Sequence, residues 1–315
     1  MNDGLADVRE YLAGLKAGGA RWLVGVSGGG DSVALLRLLV EAGLGGQVVV
    51  GCFNHGWGRF GDESACFVDA LAGTLGIGFR MGTGSGKAGS NAEAVARTER
   101  YSWFAEVCAA EGLAGMMVAH TRDDVVETFL MRAGKGSGLG GLAGMQGDIA
   151  LGGLRLMRPM LAVEREELRA YLRGLGQAWM EDPDNEAGGS QRARVRKLLP
   201  ALEAAGITLH GLAASVASLS EADALVRQMV DGFEVEVIDG VARIARAELI
   251  GAPVELAVRV LARVIRDVTG DTGVMVRRGK RVALWERITR EEDGAATLGG
   301  AKFVWRNGTV TATLE

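Results

Sequence analysis

The hexapeptide Ser27-Gly28-Gly29-Gly30-Asp31-Ser32 restricts the fold of this chain more than any other stretch. The apolar run Trp22-Leu23-Val24-Gly25-Val26 precedes it, and the helix-like run Val33-Ala34-Leu35-Leu36-Arg37-Leu38-Leu39-Val40 follows. Strand, glycine turn and helix in that order make a device for holding phosphate. Glycines admit positive φ and bring bare N–H groups close to a ligand. The helix that follows aims its unpaired amides and positive dipole end at the same point. Asp31 adds a magnesium ligand and Ser32 a hydroxyl donor. A glycine triplet alone would only make a tight turn, with Asp31 or Ser32 capping the helix. The whole hexapeptide between a buried strand and a helix points to phosphate instead. It is not a Walker A loop: Gly86-Lys87 is followed by Ala88, and Met81 stands where the first glycine belongs. Residues 82–90 read as a flexible glycine loop.

Beyond that turn, strand-like and helix-like runs alternate. Residues 4–18 predict a short amphipathic helix. Residues 47–53 are nearly all apolar and predict a parallel strand buried on both faces. Residues 62–75 predict a helix, 77–81 a third strand, and 92–111 a helix capped at Ser90-Asn91. Residues 115–119 predict a fourth strand, running into a helix that begins near Asp123. Such alternation predicts an α/β fold with a doubly wound parallel sheet. Ligands of such sheets sit outside the carboxyl ends of the strands, where the loops 27–32, 54–56 and 120–124 all fall. The glycine-rich segment 134–147 reads equally as a linker or as a mobile loop beside the site. Residues 154–159 predict an edge strand and 164–173 a helix.

The length of 315 residues suggests two domains, placed at 1–205 and 206–315. The second, smaller and α+β, opens with a helix over 209–232 and a hairpin turning at Asp239-Gly240. An amphipathic helix over 255–268 follows, carrying Arg259, Arg263 and Arg266 on one side. The basic patch Arg277-Arg278-Gly279-Lys280-Arg281 comes next, then strands turning at Asn307-Gly308.

No apolar run approaches about 18 residues, the length a membrane span needs. The N-terminus lacks the basic and apolar parts of a secretory signal. Cys52, Cys66 and Cys108 form no Cys-x-x-Cys pair, so neither a zinc knuckle nor a disulfide framework is indicated. A cytoplasmic protein is expected. The net charge of −4 does not advertise a nucleic-acid binder, but affinity for phosphate depends on local patches. Most of the basic residues are arginines, which suit bidentate contact with phosphate.

Two further constellations carry chemistry. Glu93, Arg97 and Arg100 share one helix face, either as a solvated salt-bridge surface or as arginines aimed at phosphate or a base. In His120-Thr121-Arg122-Asp123-Asp124-Val125-Val126-Glu127-Thr128, Asp124 and Glu127 share a face, as do Asp123 and Glu127. One acidic residue in a first helical turn only complements the dipole. Three after a histidine, at a strand end, favour a magnesium or amine site. His55 reads equally as a core histidine and a ligand contact.

The hexapeptide resembles the PP-loop of the ATP pyrophosphatases, and most of the chain resembles the tRNA(Ile)-lysidine synthase family. The matching stretches include Asn91-Ala92-Glu93-Ala94 through Arg97 and Arg100-Tyr101, and Ala119-His120 through Asp123-Asp124 and Glu127-Thr128. Gly136-Ser137-Gly138-Leu139 with Gly141-Leu142, Arg158-Pro159, Glu181-Asp182-Pro183 with Asn185, and Arg192 to Arg196 before Leu198-Leu199-Pro200 complete them. The sequence departs from the family at Asn54, where Asp is usual, and at the following Gly56-Trp57-Gly58. It departs again at Thr121, usually a second His, at Val125, and at Ala193, usually Asn.

The resemblance implies ligation of free lysine to C2 of the wobble cytidine in a CAU anticodon, through an adenylated base. It implies ATP as substrate, held by Ser27, Gly28, Gly29, Gly30, Asp31, Ser32 and His55, with Mg2+ on Asp31 and Asp124. Asp31, Asp123, Asp124, Glu127, Arg97 and Arg192 are the implied catalytic residues. Arg100, Arg194, Arg196, Arg277, Arg278, Lys280 and Arg281 are the implied contacts to tRNA. A homodimer is compatible with this reading. The alternatives are a PP-loop tRNA thiolase and a homologue that binds nucleotide or tRNA without catalysis.

Overall fold

The computed structural model describes residues 4–87, 89, 92–181, 190–270 and 276–315. The caps expected at Ser90-Asn91 and the stretch Asp182-Pro183-Asp184-Asn185 lie outside them. The chain forms two compact units, Met1–Ser137 with Gly141–Ala217, and Gly138–Gly140 with Ser218–Glu315. The sequence places the boundary at 205/206; the units divide inside the helix Leu209–Asp231.

The first unit is built on six strands: β1 (Trp22–Gly25), β2 (Val48–Asn54), β3 (Gly78–Thr83), β4 (Met116–Met117), β5 (Asp148–Leu151) and β6 (Leu154–Met157). Their order is β3-β2-β1-β4-β6-β5. Every pairing is parallel except β5 with β6. Helices α1 (Gly4–Ala17), α2 (Gly30–Glu41), α3 (Arg59–Thr74), α4 (Ala92–Ala110) and α5 (Arg122–Ala133) alternate with the strands. The short α6 (Leu139–Leu142), then α7 (Arg165–Gly174), α8 (Gln191–Ala204) and α9 (Leu209–Asp231) follow.

The apolar runs of β1 and β2 are explained by burial on two faces. Trp22, Val24, Val48 and Val50 pack with Leu35, Leu36, Leu38 and Leu39 of α2. Leu23 and Val49 point the other way, into a cluster with Tyr101 and Phe104 of α4. Each fully buried leucine contributes about 1.5–3 kcal/mol. The sheet order reverses at β1, with β2 on one side and β4 on the other. A crevice therefore opens at the carboxyl ends of these strands, the usual ligand position in such sheets.

Two expectations need correction. The strand at 154–159 is not an edge: β6 pairs with β4 on one side and with β5 on the other. The edge strand β5 shows no apolar alternation, because its side chains are mostly exposed. The fourth strand is also shorter than expected.

The second unit is an antiparallel sheet in the order β7-β8-β11-β10-β9, from β7 (Glu236–Ile238), β8 (Val241–Ala245), β9 (Gly294–Leu298), β10 (Ala301–Arg306) and β11 (Thr309–Leu314). Asp239 and Gly240 have φ of 51° and 75°, Asn307 and Gly308 50° and 74°. Positive φ at both positions is the tight hairpin turn that Asp-Gly and Asn-Gly favour. After α10 (Arg246–Gly251), α11 (Val254–Thr269) covers the sheet, packing Leu261, Val264 and Ile265 with Phe303 and Trp305. Arg278–Arg290 forms α12, so the basic patch at 277–281 opens a helix that its composition concealed. Among the described residues, no single helix is long and apolar enough to cross a membrane.

Candidate active site

The glycine turn ends β1 and opens α2. Only Gly28 uses positive φ, at +84°, whereas Gly29 has φ −69° and Gly30 is already helical. The expectation that all three glycines serve by backbone freedom is thus corrected. A Cβ at Gly28 would also lie 2.7 Å from Ser64 Oγ, whose hydroxyl donates to the Ser27 carbonyl. The Trp179 ring lies beside Gly30, 3.4 Å from where a Cβ would stand, an ordinary contact distance. The Met180 N–H donates to the Gly28 carbonyl at 2.9 Å, bracing the turn from outside.

Ser32 closes the turn. Its hydroxyl accepts the Ser27 N–H at 3.2 Å and donates to the Gly29 carbonyl at 2.8 Å. No side chain caps α2. The amides of its first turn lack intrahelical acceptors and sit at the positive end of the dipole, an arrangement that binds anions.

A cavity of about 760 Å³ opens before this turn. The turn, Asn54 and His55 after β2, His120 and Asp124 after β4, and Arg165 and Arg192 line it. The three loops singled out in the sequence thus meet at one cavity, and among the described residues all of its lining belongs to the first unit.

The family model described as "PP-loop domain" matches residues 6–202. A tRNA(Ile)-lysidine synthase of Novosphingobium aromaticivorans is 33% identical over 91% of this chain and 87% of its own. Another, from Bradyrhizobium sp., is 34% identical over 92% and 84% respectively. The chain belongs to the tRNA(Ile)-lysidine synthase family of PP-loop proteins. A U34-tRNA thiolase from Methanococcus maripaludis, solved with its [4Fe-4S] cluster, shares the fold at TM-score 0.52 and 17% identity, covering 68% of this chain and 74% of its own.

The acidic motif of this PP-loop protein is ordered by its helix start. Thr121 caps α5, and its N–H and hydroxyl both donate to Asp124 Oδ2, at 2.9 and 3.0 Å. Arg165, only 11% exposed, enters from the start of α7. Its guanidinium lies 3.1 Å from Asp31, 3.6 Å from Asp123, 3.5 Å from Asp124 and 3.3 Å from Glu127. Its own N–H donates to Asp123 Oδ2 at 2.9 Å. Glu127 is wholly buried and also meets Arg196 at 2.8 Å and Arg192 at 3.6 Å. Of the four carboxylates, Asp31 and Asp124 line the cavity; Asp123 and Glu127 hold arginines behind it.

The electrostatics follow this geometry. Burial raises the Asp31 carboxyl, and Arg165 only partly opposes that. Burial would also raise Asp124, but Arg165, the Thr121 N–H, His120 and Arg192 together hold it below the usual carboxylate range. Burial would lower Arg165, yet the carboxylates of Asp31, Asp124, Glu127 and Asp123 prevail and raise it. Burial pushes His120 down to about 4, assisted by Arg158, Arg192 and Arg97 against Asp124. Arg158 Nε donates to His120 Nδ1 at 3.1 Å, which requires a neutral ring with its lone pair there.

The departures from the family acquire physical roles. Asn54 is buried; its Nδ2 donates to Asp62 at 2.7 Å and its Oδ1 accepts the Gly56 N–H at 2.9 Å. An aspartate there would set two carboxylates face to face. Thr121 serves as the helix cap just described, and Ala193 is buried on α8 with its N–H on Ser190 Oγ.

The remaining expected residues are dispersed. Arg97 and Arg100 stack over the Tyr101 ring, at 4.8 and 5.2 Å, and only Arg100 lines the cavity. Arg194 is exposed on α8, whereas Arg196 turns inward to Glu127. Arg277, Arg278 and Lys280 are exposed, but Arg278 meets Glu255 at 3.1 Å and Arg281 donates to the Val258 carbonyl. Arg259 is bound to Asp223 and Glu255, and Arg263 to the carbonyls of Val230 and Phe233, so neither presents a basic surface. Sequence reasoning missed Arg165, Arg158, Trp179 and Met180. Arg158 had stood only in a matching Arg-Pro pair; nothing near Arg165 in the sequence marks it.

Proposed function

We propose that this chain joins the ε-amine of free lysine to C2 of the wobble cytidine of a CAU-anticodon tRNA(Ile), converting ATP to AMP and pyrophosphate. The observation that carries this reading is the uncapped start of α2 opening into the cavity that Asp31, Asp124 and Arg192 share. Family membership supplies the substrate class.

The C2 oxygen of cytosine is a poor leaving group. Its attack on the α-phosphorus of ATP expels pyrophosphate and leaves an O-adenylated base. The lysine amine then attacks C2, and AMP departs with that oxygen. The start of α2 binds the β- and γ-phosphates, and Arg192 and Arg100 offset charge on the nucleotide. The lysine ammonium must shed a proton before attack; of Asp31 and Asp124, which both face the cavity, Asp31 is the better placed to accept it, because burial raises its carboxyl. Asp123 and Glu127 act by holding Arg165, Arg192 and Arg196 in place.

Mg2+ suits this donor set. Among the described residues no three His, Cys, Asp or Glu side chains gather as a metal site. Mg2+ asks for less, binding through one or two carboxylates together with substrate phosphates. Asp31 and Asp124 would hold it, and it would offset charge on the phosphates.

The thiolase alternative asks for converging cysteines. Cys52, Cys66 and Cys108 lie on β2, α3 and α4, and burial pushes the thiols of Cys52 and Cys108 up to about 11. Incubation with ATP, Mg2+, labelled lysine and a CAU-anticodon tRNA should release AMP and pyrophosphate and place label in RNA. Binding without turnover would mark a lapsed enzyme, and turnover only with a sulfur donor a thiolase.

A further inference from the structure

Four rings lead outward from the core beside the phosphate turn. Trp103 of α4 anchors Phe53, with ring centroids 5.7 Å apart. Phe53 meets His55 edge to face at 5.2 Å, and His55 stacks on Trp57 at 5.1 Å with 27° between the planes. The series ends in water: Trp57 is 51% exposed.

An isolated exposed indole needs no explanation. Three observations separate this one from that case. Trp57 lines the same cavity as the phosphate turn. His55 Nδ1, directly behind it, is buried and has no hydrogen-bond partner. The turn that aims the indole is fixed: Gly56, at φ +75°, gives its N–H to Asn54, and Gly86 packs against it so closely that a Cβ there would lie 3.1 Å from the Gly56 carbonyl oxygen. Arg59, 94% exposed, and Arg100 add positive charge along the same lining.

A rigid, half-open indole backed by a second ring, with cations beside it and a phosphate turn in the same cavity, has the chemistry of a nucleobase platform. We propose that Trp57, supported by His55, stacks against one face of a nucleobase at the rim of the cavity. That base is the adenine of ATP or a base of the RNA, an identity that rests on the function proposed above.

The test uses the full chain with Trp57→Ala and Trp57→Phe. Binding of ATP alone, and of a CAU anticodon stem-loop RNA alone, is measured by calorimetry, with melting temperature as the folding control. Trp57→Ala should weaken one of the two ligands by roughly 5- to 100-fold, the range for losing one base–aromatic stack. Trp57→Phe should restore most of that loss, and neither variant should change the melting temperature. A loss confined to ATP assigns the platform to adenine; a loss confined to the stem-loop assigns it to an RNA base. Wild-type affinity of Trp57→Ala for both ligands would overturn the proposal. No turnover is required, so a wild-type chain that binds these ligands yet forms no lysidine would refute the proposed function and leave this inference standing.

Discussion

At position 120 the fold keeps a histidine neutral by burying it and by giving its Nδ1 a cationic donor, Arg158. The folded value, about 4, lies below the ordinary 6.5. The unfolded chain therefore takes up the proton first as pH falls, and stability tied to this residue is complete above the ordinary value and lost toward the folded one. His120→Asn, whose amide oxygen still accepts from Arg158, should flatten the fall of urea-unfolding stability between those two pH values. Arg165 is the opposite case, a charge that must stay. Arg165→Met would leave Asp31, Asp123, Asp124 and Glu127 facing one another without their shared cation. Removing one side of a buried charge set costs about 3–5 kcal/mol, so the urea midpoint should drop steeply, with Arg165→Lys intermediate. His120 stood out in the sequence as part of a dense motif just after a strand, although the motif gave it no role. Arg165 did not stand out, because the residue it meets in the phosphate turn, Asp31, lies 134 positions away in the chain.

At the scale of elements, the beginnings of α2 and α5 do the positioning. One is left uncapped and open to an anion; the other is capped so that Asp124 is fixed. Thr121→Ala removes the cap hydroxyl and one donor to Asp124, and should cost about 0.5–2 kcal/mol in chemical unfolding. Thr121→Ser should recover most of it, which bulk loss alone would not allow. The parallel strands were readable because burial on two faces demands unbroken apolar runs. The strand β5 was unreadable because exposure on both faces leaves no period to detect. The helix α12 was hidden for a related reason: its opening Arg278-Gly279-Lys280-Arg281 reads as charge before it reads as helix, and only Leu284 and Ile288 are buried.

The whole molecule forms two units with separate cores. The net charge of −4 means that any hold on RNA comes from local patches rather than from the overall field. Arg277 and Lys280 remain exposed, while Arg259 and Arg263 are committed to the fold. Paired charge reversal at Arg277 and Lys280 should weaken tRNA binding and flatten its salt dependence, measured by filter binding across a salt series; unchanged slopes would exclude that patch. The cavity proposed for ATP, by contrast, is lined among the described residues by the first unit alone. Ile265, 1% exposed in the core of the second unit, provides the complementary perturbation. Ile265→Ala should destabilise that unit by about 2–5 kcal/mol through the cavity it leaves. Calorimetric ATP affinity should stay at the wild-type value, because none of the cavity lining depends on that core. A weakened ATP affinity in this variant, at a temperature where it is fully folded, would mean that the phosphate turn takes its shape from more than the sheet that carries it.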